Sequence, residues 1–305
     1  MTLNQKNILV TGARGFVGSA VLARLAAQGV PKQNIVAHSQ EIGDLRSIEE
    51  CRKAVHGVHI VIHLAGITGG VAFHREHAER IYEENLAMGL NIIAAARKSG
   101  AEKFVMAGSL TEYGIHAPLP LREETLWDGE PKPAHAAYAR AKRALLTEAG
   151  KLRSKGLQSA HLLLASMYGP GEKSDFVIPA LIQKMIAARD SKLPNVTVMG
   201  TGNDTRDFLY VDDAAEAIVM AAGTYDSAEP MNIASGKETS IRDLAFTIGR
   251  LIGYEGKIVF EAKRKEVSRS WADISRAKKE LGWSPATDLE TGLRATIEWH
   301  AGSAI

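Results

Sequence analysis

Short apolar runs alternate with longer amphipathic ones through the first half of the chain, an alternation that predicts strands and helices in turn. Asn7-Ile8-Leu9-Val10 reads as a strand, followed by a helix from about Phe16 to Gln28. Asn34 to His38 reads as a second strand, "SIEECRKAV" as a short helix and Ile60 to Ala65 as a third strand. From roughly Glu76 to Ser99 apolar residues at Ile81, Leu86, Leu90, Ile93 and Ala94 mark a long helix. Lys103 to Gly108 is a fourth strand, and a helix from about Ala136 to Leu152 leads to a fifth, "SAHLLLAS". Near-continuous apolar strands separated by helices imply a parallel sheet covered on both faces.

Beyond Tyr168 the pattern loosens. "YGPGEKSD" is a turn-rich junction, and Phe176 to Ala188 is helical. Val196–Met199 and Phe208–Val211 read as short strands on either side of the turn "GTGNDTR". Helices from about Ile241 to Ile252 and Leu289 to Trp299 bracket a strand at Lys257 to Glu261. The expected fold class is α/β: a doubly wound parallel sheet over residues 1–168, to which 206–235 returns, with a smaller α/β lobe from 169–205 and 236–305.

Composition narrows the class. A chain of 305 residues with 45% hydrophobic and 24% charged residues can bury a core without metals or disulfides. A formal charge of +2 gives no broad attraction for nucleic acid or membrane. The single cysteine, Cys51, suits a reducing compartment, and no base lies near it in sequence to activate the thiol. The start, "MTLNQKNILVTGARG", lacks the charged and apolar regions of a secretory signal, and no apolar stretch reaches ~18 residues. A cytoplasmic protein is expected.

"VTGARGFVG" places Gly12, Gly15 and Gly18 between the first strand and the first helix. Glycines let the backbone turn sharply and approach a pyrophosphate, which the helix N-terminus stabilises. Tight packing alone is the plainer reading, but the strand-to-helix context weighs against it. NAD-selective sites usually end the second strand in an acid that bonds the ribose 2′-hydroxyl. Here His38-Ser39-Gln40 stands there, with no carboxylate until Glu41. Arg14 in the loop, helped by His38 and Ser39, can meet a 2′-phosphate. NADP(H) is therefore favoured, and NAD(H) stays open.

"HAAYARAKRAL" puts Tyr138 and Lys142 on one face of a predicted helix. A free tyrosine, with a pKa near ~10, is a poor acid–base catalyst at neutral pH. A lysine one turn away favours phenolate and lowers that value. The pair recurs by chance in many helices, but downstream of a glycine loop it carries weight.

With "TGARGFVG", "HLAG" at 63–66, the serine of "AGSLTEYG", "YARAK", "YGPG" at 168–171 and "RDFLYVDDAAEAI" at 206–218, the chain resembles the extended short-chain dehydrogenase/reductases of the NAD-dependent epimerase/dehydratase family. Order and spacing match over nearly the whole length. The resemblance implies a Rossmann-type fold and catalytic roles for Ser109, Tyr138 and Lys142. It places Phe16 and Val17 of the loop, and Leu64, Ala65 and Gly66 of "HLAG", at the cofactor. Asp44 and Leu45 match the position beside the adenine, and Asn85 matches a family asparagine on the long helix. The family mostly reworks hexoses carried on nucleotide diphosphates. Arg206 and Arg269 match its substrate-binding arginines, and Thr111, Glu112 and Lys184 complete the expected substrate contacts. Ordinary surface ion pairs are the plainer reading of both arginines. Relatives pair through the two long helices, so a homodimer is expected.

"HLAGITGG", "ENLAMGLNIIAAA" and "YGPGEKSDFVIPALIQK" are most similar to the GDP-fucose synthase branch, whose members epimerise and then reduce with NADPH. Its cysteine two residues after the serine is Thr111 here, and its histidine before "VIPAL" is Phe176. Phenylalanine carries no proton, and an unaided threonine hydroxyl is far too weak an acid or base. Double epimerisation is therefore not expected, while hydride transfer at the sugar C4 needs only serine, tyrosine, lysine and cofactor. Leu110-Thr111 replaces the Asp-Glu pair of the dehydratases, and Met199 replaces a tryptophan expected at the base. A reductase of nucleotide-linked 4-keto (deoxy)hexoses ranks first. A 4-epimerase with tightly bound NAD is the alternative, and a non-catalytic dinucleotide-binding regulator a remote one. His56, His59, His63, His74 and His77 read as solvated or core residues rather than metal ligands, and no metal is expected. The role of Glu112 stays open.

Overall fold

The computed structural model describes residues 2–39, 43–172, 175–261 and 267–302. Strand β1 (Ile8–Thr11) is buried throughout and feeds helix α1 (Phe16–Ala27). Strand β2 (Ile35–His38), helix α2 (Ile48–Ala54) and strand β3 (Ile60–His63) follow. Helix α2 begins where the Ser47 side chain accepts the Glu50 N–H. Its acids lie in the first turn and Arg52 and Lys53 in the last, the order the helix dipole favours.

The long predicted helix is α4 (Ala78–Ser99); a short helix that the pattern does not predict, α3 (Val71–Glu76), precedes it, and His77 separates the two at φ −123°, ψ 29°. Strand β4 (Lys103–Ser109), helix α5 (Ala136–Leu152), and strands β5 (Gln158–Leu164) and β6 (Ser166–Tyr168) complete the first half. The second half holds α6 (Val177–Asp190), β7 (Asn195–Met199), β8 (Thr205–Arg206), β9 (Phe208–Tyr210) and α7 (Val211–Thr224). It ends with β10 (Met231–Ile233), β11 (Thr239–Ser240), α8 (Ile241–Ile252), β12 (Lys257–Glu261) and α9 (Leu289–Gly302).

Six strands form one sheet in the order β10-β5-β4-β3-β1-β2, every neighbour parallel. This is the expected Rossmann-type α/β class. Strand β1 lies between β2 and β3, so the connections leave it in opposite directions and open a crevice at the strand ends, where ligands bind in such sheets. The expected strands at 196–199 and 208–211 do not pair with each other. Strand β7 runs parallel to β12, and β9 parallel to β6. Strand β10, too short for periodicity to reveal, closes the sheet beside β5.

The main core lies on both faces of the sheet; Phe104 and Val105 of β4 are fully buried. Each such side chain contributes roughly 1.5–3 kcal/mol, which is what fixes the far end of β4 in place. A second core gathers Tyr168, Ile182, Met185, Phe208, Leu244 and Ile248. Ala272, Ile274, Ala277 and Trp283, from the far end of the chain, belong to the first core. No helix among the described residues is long and apolar enough to cross a membrane.

Candidate active site

Strand β1 ends in Thr11, whose Oγ1 accepts the backbone N–H of both Leu64 and Ala65 at 3.2 Å and lies 2.8 Å from His63 Nδ1. Sequence reasoning passed over this threonine; its signal is a hydroxyl residue closing an otherwise apolar strand. The clamp draws the 64–66 segment over the glycine loop. Gly12 has φ +67°, and a Cβ on it would stand 2.8 Å from the Ala65 nitrogen. A Cβ on Gly18 would strike the Gly12 carbonyl. The loop is thus packed where side chains cannot fit, ahead of the twelve-residue helix α1.

At the end of β2, His38 and Ser39 are buried (4% and 9% exposed), and neither His38 Nε2 nor Ser39 Oγ has a hydrogen-bond partner among the described residues. Buried polar atoms without partners await a ligand or water, and these two lie where a dinucleotide ribose would. Burial lowers the His38 pKa, opposed by Glu50. The loop cradle and these two atoms fit a dinucleotide. Along the same stretch Arg14 and Gly15 are exposed and Phe16 is half-buried, while Val17 packs against the core. Glu41 lies outside the described residues.

Some expected cofactor contacts are engaged otherwise. Asp44 binds Arg46 through the backbone N–H and the guanidinium, and this pairing lowers its pKa. Leu45 is packed in the core at 4% exposure, so its side chain does not face an adenine. Asn85 accepts the Ile67 N–H at 2.9 Å and donates to the Ile67 and Ile81 carbonyls. It braces the 64–67 segment from behind rather than presenting its amide to a cofactor. Gly66 passes close to this brace, and a Cβ there would stand 3.0 Å from Asn85 Oδ1 and 4.0 Å from Lys142 Nζ.

Strand β4 ends in Ser109. Its Oγ accepts the Thr111 N–H at 3.1 Å and stands 3.0 Å from Thr111 Oγ1, which donates to it. With both bonds accepted, the serine keeps its own proton to donate elsewhere. Thr111, half-buried, therefore orients Ser109. Helix α5 packs against the turn at 110–112 and carries Tyr138 and Lys142, the ammonium lying 5.5 Å from the tyrosine ring centroid. The electrostatics differ from the expectation of a depressed tyrosine. Burial raises the Tyr138 pKa, with Glu112 adding to the rise. Burial also lowers Lys142 to about 8, opposed by Glu112. His63, wholly buried, is held down to about 3 by burial, then by Lys142 and His38.

Glu112 is not a substrate contact. It is fully buried, accepts the Ser109 N–H at 2.8 Å and meets His161 Nε2 with both oxygens.

Two histidines pack beside the tyrosine. His74 crosses Tyr138 edge to face at 5.9 Å and His135 at 4.7 Å, and its Nε2 lies 3.1 Å from Thr68 Oγ1. His135 is held down to about 4 by burial, then by His74, Arg206 and Lys132. Arg206 donates to the Thr205 and Ser268 carbonyls, and Lys132 to Ser268 Oγ and the Arg269 carbonyl. Arg206 and Lys132 therefore lie near His135 at the start of α5; of these the sequence reading names only Arg206, as a substrate-binding arginine. Arg269 is paired with Glu238 at 2.7 Å, as in the plainer reading, and Lys184 donates to the Thr197 carbonyl. Phe176 is half-buried and Met199 exposed. No group of His, Cys, Asp or Glu among the described residues is arranged to hold a metal.

The chain is similar to known proteins over most of its length. The pattern of the NAD dependent epimerase/dehydratase family matches residues 8–234. A GDP-L-fucose synthase of Sinorhizobium fredii is 35% identical over 97% of this chain and 96% of its own. A GDP-mannoheptose C4 reductase of Campylobacter jejuni, solved with NADP bound, superposes with a TM-score of 0.89 at 24% identity, covering 96% of this chain and 98% of its own. A GDP-L-fucose synthetase of Naegleria fowleri bound to NADP gives 0.86 at 25% identity, covering 97% of this chain and 94% of its own.

Proposed function

The chain belongs to the NAD dependent epimerase/dehydratase family, and from that footing we propose that it is an NADPH-dependent reductase of nucleotide-linked 4-keto hexoses, deoxy sugars included. The observation that carries this reading is helix α5, bearing Tyr138 and Lys142 together, packed against the turn that follows Ser109 at the end of β4, with burial keeping the tyrosine protonated. A tyrosine that holds its proton can give it to the ketone oxygen, the step that reduction requires.

Bound NADPH supplies the hydride to the ketone carbon. Ser109, its hydroxyl oriented by Thr111, donates a hydrogen bond to the ketone oxygen and holds it near Tyr138. As C4 is reduced, the carbonyl electron pair takes the Tyr138 proton and becomes a hydroxyl. Lys142 stabilises the phenolate left behind until solvent returns the proton. The absence of acid–base groups at Thr111 and Phe176 leaves the carbons beside the ketone untouched.

The unpartnered His38 Nε2 and Ser39 Oγ, with Arg14 nearby in the loop, support a 2′-phosphate and hence NADP(H). Relatives named for GDP-sugars make a GDP-linked ketone the first substrate to test. Arg206 serves the diphosphate in this reading, and His135 and Lys132 border the same space. Residues 1–168 with 206–235 serve as the cofactor unit, and 169–205 with 236–305 as the lobe that meets the nucleotide sugar. The two cores support this division, with 272–283 lending side chains to the cofactor unit and Tyr168 and Phe208 of that unit packing into the second core. We place the protein in the cytoplasm and pair it as a homodimer through α4 and α5.

The purified chain, given NADPH and a GDP-linked 4-keto-6-deoxyhexose, is expected to consume NADPH and yield the 4-hydroxy sugar. No consumption with GDP-, UDP- or dTDP-linked ketones, together with NAD retained through purification, would overturn the reading in favour of an epimerase.

A further inference from the structure

Beneath Ser109 lies a buried acidic and imidazole pair that hydride transfer does not itself use. Glu112 is 0% exposed and His161, reaching across from β5, is 2% exposed. His161 Nε2 stands 3.1 and 3.0 Å from the two carboxylate oxygens, and its Nδ1 has no partner among the described residues, so the ring donates through Nε2. The backbone between them is built around the pair. A Cβ at Gly108 would collide with both His161 Nε2 and Glu112 Oε1.

A serine and a glutamate three residues on form an ordinary capping box at many helix starts. Such a box is normally wet and needs no partner for its acid. This one caps only a single turn, Leu110–Glu112, yet its glutamate is sunk in the interior with a dedicated histidine. Removing a carboxylate from water is costly, so a cap alone is poor reason for the burial.

We propose that Glu112, braced by His161, is a positioning residue of the catalytic set, fixing the Ser109 backbone and setting a buried negative charge beside Tyr138 and Lys142. The inference rests on the reductase reading for its purpose, but not for its test. Charged and titratable groups face this spot from several elements: His161 on β5, His63 on β3, Tyr138, Lys142 and Arg143 on α5, and Tyr113 on the turn itself. The Arg143 guanidinium donates to the Glu112 carbonyl at 2.7 Å, tying α5 to the same turn. Against this background the carboxylate opposes the burial that pulls Lys142 down, and adds to the burial that keeps Tyr138 protonated. Both effects favour a cationic lysine beside a neutral tyrosine, the pair ready to give a proton to a ketone.

Lys142 itself reports the effect without cofactor or sugar. In full-length protein with isotope-labelled lysine ε-carbons, its NMR resonance is assigned by loss in Lys142→Arg and titrated with pH. The wild-type midpoint is expected near about 8. Glu112→Gln keeps an oxygen for the Ser109 N–H but removes the charge, and is expected to lower the midpoint by ~1 pH unit. Should that variant not fold, Glu112→Leu with His161→Leu replaces both partners by apolar groups, so that neither is left buried without the other, and the same fall is expected. In the active enzyme, Glu112→Gln should bring the alkaline decline of kcat to lower pH by a similar amount, with KM for the nucleotide sugar unchanged. An unmoved Lys142 midpoint in a folded variant overturns the proposal and leaves only a cap. An inactive wild type would instead overturn the reductase reading, with the Lys142 result still deciding the role of Glu112.

Discussion

At the residue scale, the chemistry depends on who holds a proton. Tyr138 is expected to be indispensable because Ser109 and Lys142 position and support but cannot replace its phenol. Tyr138→Phe should lower kcat by at least ~10³-fold, within the upper range attributed to general acid catalysis. Its affinity for NADPH, read by fluorescence titration, should stay within about threefold; turnover near the wild-type rate would contradict the assignment. Ser109, Tyr138 and Lys142 were legible in the sequence because their roles are tied to residue type, spacing and strand–helix context. Glu112 and Asn85 were not. Each is polar and close to a motif, so reading along the chain aims it at the ligand, whereas the fold turns Glu112 to His161 and Asn85 to the Ile67 backbone. The partner of a buried polar group comes from a distant strand or loop, and no local pattern names it. The direction of the Tyr138 shift was missed for the same reason: the neighbouring lysine is visible in sequence, but the depth of burial is not.

At the element scale, periodicity found the strands and most helices because apolar faces repeat with the element's own period. Helix α5 and helix α8 begin and end where the pattern predicts. Helix α3 has no counterpart in the pattern because six residues are too few for a 3.6-residue period to repeat. The pairing of β7 with β12 was equally hidden, since period-two patterns specify a strand but not its neighbour. Helices α4 and α5 pack side by side, and α4 leaves Tyr82 and Leu90 exposed at 38% and 39%. Apolar side chains left on a long helix fit the expected pairing of two copies into a four-helix bundle. Sedimentation at micromolar concentration should find a species of twice the chain mass. Leu90→Asp should shift it to monomer with the far-ultraviolet circular dichroism unchanged. A wild-type monomer would contradict the pairing.

At the scale of the whole molecule, two cores flank one crevice. The sheet core fixes the glycine loop, the end of β2 and the end of β4 on one rigid frame. The second core carries α6 and α8 and adjoins β9 through Phe208, with Arg206 two residues earlier on β8. Such a division suits a reaction in which a dinucleotide and a nucleotide sugar must meet at one carbon. What the site lacks matters as much as what it holds: Thr111 is committed to Ser109, and Phe176 has no proton to exchange. The account therefore stands on where hydrogen travels. NADPH deuterated at the transferable position, with a GDP-linked 4-keto-6-deoxyhexose in ordinary water, should place deuterium at C4 of the sugar and nowhere else. In heavy water with ordinary NADPH, C3 and C5 should remain free of deuterium. Deuterium at C3 or C5 from heavy water, or none at C4 from the cofactor, would contradict the account.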